Sequence, residues 1–195
     1  MGIRKIVIVM GSPRKEGNSA TLAKQVAAGA KADGAAVESF YLHGMDLQPC
    51  RACDSCQQEA NQGCVIDDDM QTLYPKLRRA DALVIASPVY WFTVSAQTKL
   101  FMDRCYALGH YPVDGLPESA FTGKRIGIVL TYGDVDPFNS GAVNALRTFQ
   151  DAFGYVRAEI AGMVYGSASD AGEIRNNRDI MDKAYELGRQ LGSDR

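Results

Sequence analysis

Apolar positions along this chain follow two rhythms, and their alternation predicts the architecture. "IRKIVIVMG" is β-branched and almost continuously apolar, the pattern of a strand buried on both faces of a parallel sheet. "SATLAKQVAAGAKADG" then carries apolar residues at helical spacing and ends at Gly34, a residue suited to a left-handed helix cap. "AAVESFYLH" reads as a second strand, "ADALVIASPVYW" as a third broken by Pro88, "KRIGIVLTYGD" as a fourth and "YVRAEIAGMVYG" as a fifth. Helices are predicted from Asp67 through "QTLYPKLRRA", weakened in the middle by Pro75, and over "VSAQTKLFMDRCYAL" with Ser95 as N-cap. Two more follow, over "SGAVNALRTFQDAFG" and "DAGEIRNNRDIMDKAYELGRQLG". Strands alternating with helices over long crossovers predict an open doubly wound α/β sandwich.

In such a sheet the loops after the first four strands leave at the carboxyl edge, where ligands bind. Those loops hold "GSPRKEGNS", a cysteine-rich stretch, "SPVYWFTVS" and "TYGDVDPFN". The chemistry is therefore predicted to lie along one rim.

Composition narrows the function. With 195 residues, 46% of them hydrophobic and 23% charged, the chain suits one domain spanning 1–195, with the cysteine-rich stretch at about 44–66 as an insertion. A net charge of -2 and a pI near 5.7 leave no basic footprint for nucleic acid. The apolar run Ile6–Met10 is too short to span a bilayer, so no membrane association and a cytoplasmic location are expected. Thiols stay reduced there, and grouped cysteines more often bind metal or do redox work than form disulfides.

Cys50, Cys53, Cys56 and Cys64 form a C-x2-C-x2-C-x7-C run. Four thiolates are what a 4Fe-4S cluster needs, and the first three spacings match the opening of the bacterial ferredoxin pattern. Zinc on four thiolates, metal-free redox-active thiols and plain structural cysteines are the other readings. Cys105 is expected in the core, and His43 and His110 as surface or loop residues without metal-spaced partners. The acidic Asp67–Asp69 reads as a helix amino end.

"GSPRKEGNS", Gly11 to Ser19, joins a buried strand to a helix. It offers an anion the free amides of a helix start, the side chains of Ser12, Asn18 and Ser19, and the charge of Arg14. It is neither the dinucleotide fingerprint nor a nucleotide triphosphatase loop. Together with "SPVYWFTVSAQTKLFMDR" and "TYGD", it resembles the NADPH-dependent FMN reductase group of flavodoxin-like proteins, and the compact cysteine run looks like that of the iron-sulfur flavoproteins within that group. The resemblance implies a five-stranded parallel sheet of order 2-1-3-4-5 with FMN on its rim, in homodimers or homotetramers. It assigns Ser12, Arg14, Asn18 and Ser19 to the FMN phosphate. Pro88, Val89, Tyr90, Trp91 and Phe92 fall where the ribityl chain and the ring are lined, and Thr131, Tyr132, Gly133 and Asp134 where the third loop borders the ring. In "KLFMDR", spacing turns Phe101 inward and puts Asp103 and Arg104 on the helix surface.

The function expected from these features is FMN-dependent oxidoreduction, with electrons passed to small acceptors such as flavins, quinones, metal ions or oxygen species. The flavin does the chemistry, so no side chain is assigned as catalytic. NAD(P)H is the expected donor; with a cluster on the cysteines, a ferredoxin-like protein could deliver electrons instead. The alternative is a non-enzymatic electron carrier or redox-sensing flavoprotein.

Overall fold

In the computed structural model, which describes residues 2–58, 63–112 and 114–193, Ile6 and Ile8 face one hydrophobic cluster while Val7 and Val9 face another. Such two-sided burial is what an unbroken apolar strand requires. That strand, β1 (Lys5–Met10), is followed by α1 (Asn18–Ala32), β2 (Ala36–Tyr41), a one-turn α2 (Ser55–Gln58) and α3 (Met70–Arg79). Then come β3 (Ala82–Tyr90), the short β4 (Thr93–Val94), α4 (Ala96–Arg104), β5 (Gly109–His110), β6 (Glu118–Ser119) and β7 (Arg125–Tyr132). The chain continues through α5 (Ala142–Tyr155), β8 (Glu159–Ser167) and α6 (Arg178–Gly192).

The sheet order is β2-β1-β3-β7-β8, all parallel, which is the expected 2-1-3-4-5 arrangement with β7 and β8 in the fourth and fifth places. Two small additions were not expected. β4 folds back antiparallel on the end of β3, and β5 pairs with β6 in a separate two-stranded ribbon. Leu22, Val26, Leu187 and Leu191 of α1 and α6 cover one face of the sheet; Leu73, Leu77, Phe101 and Phe149 of α3, α4 and α5 cover the other. The two helices of the first layer touch backbone to backbone. A Cβ on Gly29 would lie 1.9 Å from the Tyr185 carbonyl oxygen, and one on Gly188 would lie 2.0 Å from that of Val26.

One helix expectation holds despite a proline, and one changes. α3 runs straight through Pro75, because Met70, Leu73, Tyr74 and Leu77 bury a continuous stripe that outweighs one missing hydrogen bond. The last helix begins later than its apolar spacing suggests. Asn177, in extended conformation, accepts a hydrogen bond from the Ile180 amide and caps α6, while residues 173–176 form a separate 3-10 turn. Among the described residues, no helix is long and apolar enough to cross a membrane.

Candidate functional site

The loop from Gly11 to Gly17 is tied to the sheet by the Gly11 amide, which donates to the Ala86 carbonyl at 2.8 Å, and by the Tyr41 hydroxyl, which donates to the Pro13 carbonyl at 2.5 Å. It delivers the chain into α1 without a side-chain cap: Gly17 is the N-cap, and no acidic residue lies in the first turn. The first amides of a helix have no partner within the helix, and the dipole makes that end positive. Beside them the Ser19 hydroxyl is buried at 1% exposure and has no hydrogen-bond partner. A buried hydroxyl is costly unless it is satisfied, so an orphan in the first turn of an uncapped helix, lining a cavity, marks the place of an acceptor-rich group. Arg14 is the charged residue lining the same cavity.

That cavity, about 280 Å³, brings together ten of the residues expected to hold FMN: Ser12, Arg14, Asn18, Ser19, Pro88, Val89, Tyr90, Thr131, Tyr132 and Gly133. Its floor is the carboxyl end of β1, β3 and β7, where Ser12, Thr131 and Tyr132 are buried. Burial, with Tyr165 and Asp136 nearby, raises the Tyr132 phenol above its ordinary range, so it stays a neutral hydrogen-bonding group. The donors and shape fit a phosphorylated polyol with an aromatic head, the chemistry of FMN.

The Asn18 side chain is already engaged. Its amide donates to the carbonyls of Ala168 (3.2 Å) and Asp170 (2.9 Å), and its oxygen accepts from the Ile174 amide (3.3 Å). What it offers an anion is its backbone N-H, while its side chain draws the loop after β8 onto the rim. Ala168, Ser169 and Ala171 of that loop line the cavity and were not foreseen. The available signal was positional: the loop after the fifth strand leaves the same edge, in the small-residue stretch "GSASDAG".

Trp91, Phe92 and Asp134 do not line this cavity. Asp134 accepts the Asp136 amide at 2.9 Å and shapes its own turn. Trp91 and Phe92 form the two-residue tip of the hairpin joining β3 to β4, where Tyr90 pairs with Thr93. Both have positive φ, 47° and 67°, and Trp91 is 92% exposed. Hairpin tips with two positive φ values normally carry Asn-Gly, so two large aromatics here are held in strained backbone. Val135 and Phe138, on the loop before α5, are also exposed.

The cysteine loop carries Cys50 and Cys53 exposed and Cys56 and Cys64 half-buried, all as free thiols. Among the described residues no three or more Cys, His, Asp or Glu are arranged to hold a metal ion. The residues around Cys53 nevertheless favour its thiolate. Ala52 and Asp54, on either side of Cys53, have φ of 50° and 54°. The Ser55 hydroxyl and the amides of Ser55 and Cys53 bond the Cys53 sulfur and hold its pKa below the usual thiol value. Backbone curled in this way presents N-H groups to anions and to iron-sulfur sites. The Gln57 amide donates to the Cys56 sulfur at 3.4 Å, and the Tyr74 hydroxyl lies beside Cys64. Four soft ligands, two of them with donors turned toward their sulfurs, fit an iron-sulfur group in chemistry. Cys105 differs: it is half-buried against the core rather than within it, and burial pushes its thiol far above the ordinary range.

Arg104 corrects the surface reading of "KLFMDR". Phe101 is buried and Asp103 exposed as expected, but the Arg104 side chain is 1% exposed and paired with an Asp68 carboxylate that is fully buried. Arg104 Nη1 donates to Asp68 and to the Gln48 carbonyl (2.7 Å), and Nη2 donates to Asp68 Oδ1 (3.1 Å). Asp68 also accepts the amides of Gln48 (2.8 Å) and Met70 (3.0 Å). The acidic run is thus only partly a helix amino end. Its middle carboxylate ties the cysteine loop to α4.

The sequence profile described as NADPH-dependent FMN reductase matches residues 4–173. An iron-sulfur flavoprotein of Archaeoglobus fulgidus is 30% identical over 187 residues, covering 96% of this chain and 78% of the relative. An iron-sulfur flavoprotein of Methanocaldococcus jannaschii is 37% identical over 100 residues, 51% of this chain, and the match spans about half (51%) of that relative's length. Among solved structures, the NAD(P)H:quinone oxidoreductase from Methanothermobacter marburgensis has the same fold, with a TM-score of 0.76 over 97% of this chain and 100% of that one, at 16% identity.

Proposed function

Because the chain belongs to the NADPH-dependent FMN reductase family, we propose that it is an FMN-dependent oxidoreductase that draws electrons from NAD(P)H and passes them to small acceptors such as quinones or free flavins. The observation that carries this reading is the uncapped start of α1 with the buried, unpartnered Ser19 hydroxyl beside it. FMN, when bound, supplies the hydride-accepting and electron-donating chemistry.

The chain's own groups bind and orient. The first amides of α1, Ser12, Ser19 and Arg14 hold the phosphate. Pro88, Val89 and Tyr90 line the path outward, and the 131–133 loop borders the ring with neutral donors. The exposed Trp91, Phe92, Val135 and Phe138 give a flat apolar acceptor a surface to approach. No side chain is asked to move a proton.

We further propose that Cys50, Cys53, Cys56 and Cys64 hold a 4Fe-4S cluster, which would supply one-electron exchange with a ferredoxin-like donor. The lowered pKa of Cys53, the Gln57 amide on the Cys56 sulfur and the similarity to two iron-sulfur flavoproteins support this. In this reading the protein works in the cytoplasm as a homodimer or homotetramer.

The test is anaerobic purification, followed by assays of flavin, iron and acid-labile sulfide and by steady-state NAD(P)H oxidation with a naphthoquinone acceptor. Bound FMN with quinone-dependent turnover is expected. Failure of the apoprotein to take up FMN would sink the flavin reading, and FMN uptake without turnover from any nicotinamide or ferredoxin donor would leave an electron carrier. Flavin without iron after reconstitution would remove the cluster.

A further inference from the structure

We propose that the buried Asp68–Arg104 pair is a positioning device for the cysteine loop, clamping both of its ends to the carboxyl end of α4 and so fixing the arms that carry Cys50 and Cys64. The inference rests on the cluster reading for what the thiols hold, though not for how the loop is held. Gln48 lies two residues before Cys50, and Asp68 four residues after Cys64. The pair grips both polar groups of the Gln48 peptide: its amide donates to Asp68 at 2.8 Å and its carbonyl accepts from Arg104 at 2.7 Å. Next to it, the Asp46 amide donates to Asp69 Oδ2 at 2.8 Å and the Asp69 amide to the Asp46 carbonyl at 3.0 Å. The loop is therefore closed at its base by two reciprocal clamps, one of them built on a buried charge pair.

An ion pair is an uneconomical way to fill a core, since apolar residues of similar volume are often at least as stable. Its advantage is direction, and here its hydrogen bonds go to the backbone of the cysteine loop. α4 gives that direction a second end. At its start Ser95 accepts the Thr98 amide and donates to the Gly11 carbonyl of the phosphate loop at 2.8 Å. At its finish Arg104 holds Gln48 and Asp68. A helix of this length spans about 13 Å at 1.5 Å per residue. One strut thus sets the cysteine loop relative to the flavin cradle.

The test compares wild type with Asp68→Asn, Arg104→Lys and Arg104→Met, with Lys99→Ala on the exposed side of α4 as control, all reconstituted anaerobically with ferrous iron and sulfide. Iron and sulfide per FMN and the cluster's electron paramagnetic resonance signal are measured, with FMN content and urea midpoint as fold controls. Iron per FMN is expected to fall at least fivefold in Arg104→Met and Asp68→Asn and less in Arg104→Lys, which keeps the charge but loses the fork; Lys99→Ala should match wild type. Variants that bind FMN normally and keep wild-type iron and an unchanged signal overturn the proposal. So does parallel loss of FMN and iron in every variant, the isosteric Asp68→Asn included, which would make the pair purely structural. Wild type that takes up no iron removes the cluster reading alone. The clamp is then read from thiol labelling of metal-free protein by mass spectrometry: Asp68→Asn should label Cys50 and Cys64 at least fivefold faster relative to Cys105, and equal rates overturn the proposal.

Discussion

Gly141 and Phe92 meet backbone to backbone: a Cβ on Gly141 would lie 2.3 Å from the Phe92 Cα and 2.4 Å from its carbonyl oxygen. The first residue before α5 thereby props the hairpin tip at the flavin rim, helped by Asn144, which donates to the Phe92 carbonyl at 3.4 Å. Gly141 also has φ of 79°, so alanine would be strained there even without the contact. Gly141→Ala is expected to cost about 1–3 kcal/mol in urea unfolding and to weaken FMN binding several-fold as the tip shifts. Gly154→Ala, in the same helix with nothing within 4 Å of the added methyl, should be neutral or stabilising by up to about 1 kcal/mol.

The tip itself separates stability from function. Trp91→Asn with Phe92→Gly would install the residues that two positive φ values favour, relieving strain of about 1–2 kcal/mol at each position. The double variant should melt at a higher temperature and turn over quinone acceptors more slowly. A lower melting temperature would show that the two rings stabilise the hairpin.

Ser19→Ala should change sign with the cofactor. Without FMN the hydroxyl has no partner, so its removal is expected to leave stability unchanged or raise it. With FMN, loss of a hydrogen bond to a charged phosphate costs about 1.5–3 kcal/mol, roughly ten- to a hundredfold in affinity. Fluorescence titration of apoprotein with FMN, alongside thermal melts of both forms, measures the two effects.

The buried pair predicts the acid limb of stability. Burial opposes ionisation of Asp68, but hydrogen bonds from Arg104 and from the amides of Gln48 and Met70 outweigh it, and its carboxyl titrates below the usual range. A group whose pKa is lowered by folding adds stability above its unfolded value, about 3.9, and loses it as pH falls through the folded value. The pair's contribution should therefore be constant from neutral pH to about pH 5 and fade below about pH 4. Asp68→Asn should already be less stable at pH 7, with the gap to wild type closing in acid. Urea midpoints across pH check this.

The parts readable from sequence were those in which neighbouring residues share one environment. Ile6–Val9 and residues 82–86 are uniformly apolar because both faces of a central parallel strand are covered. Ser95 was legible as a cap because capping is local, and its oxygen does accept the Thr98 amide. Arg104 was misplaced because helical periodicity treats a charge as solvent-facing, while the residue that rescues it from burial, Asp68, lies on another element. The left-handed backbone at Trp91 and Phe92 was invisible for a similar reason: no local preference favours it, and contacts from Gly141 and Asn144 impose it.

Asn18 opens the helix behind the phosphate loop, yet its side chain bonds to Ala168, Asp170 and Ile174, and Gly29 on the same helix rests against the backbone of Tyr185. The part of the rim built on the first helix is thus completed by residues about 150 positions further along the chain. A nascent chain stalled before this segment has emerged would carry the loop without its framework. The phosphate loop reaches its finished form only when the loop after β8 has docked on Asn18.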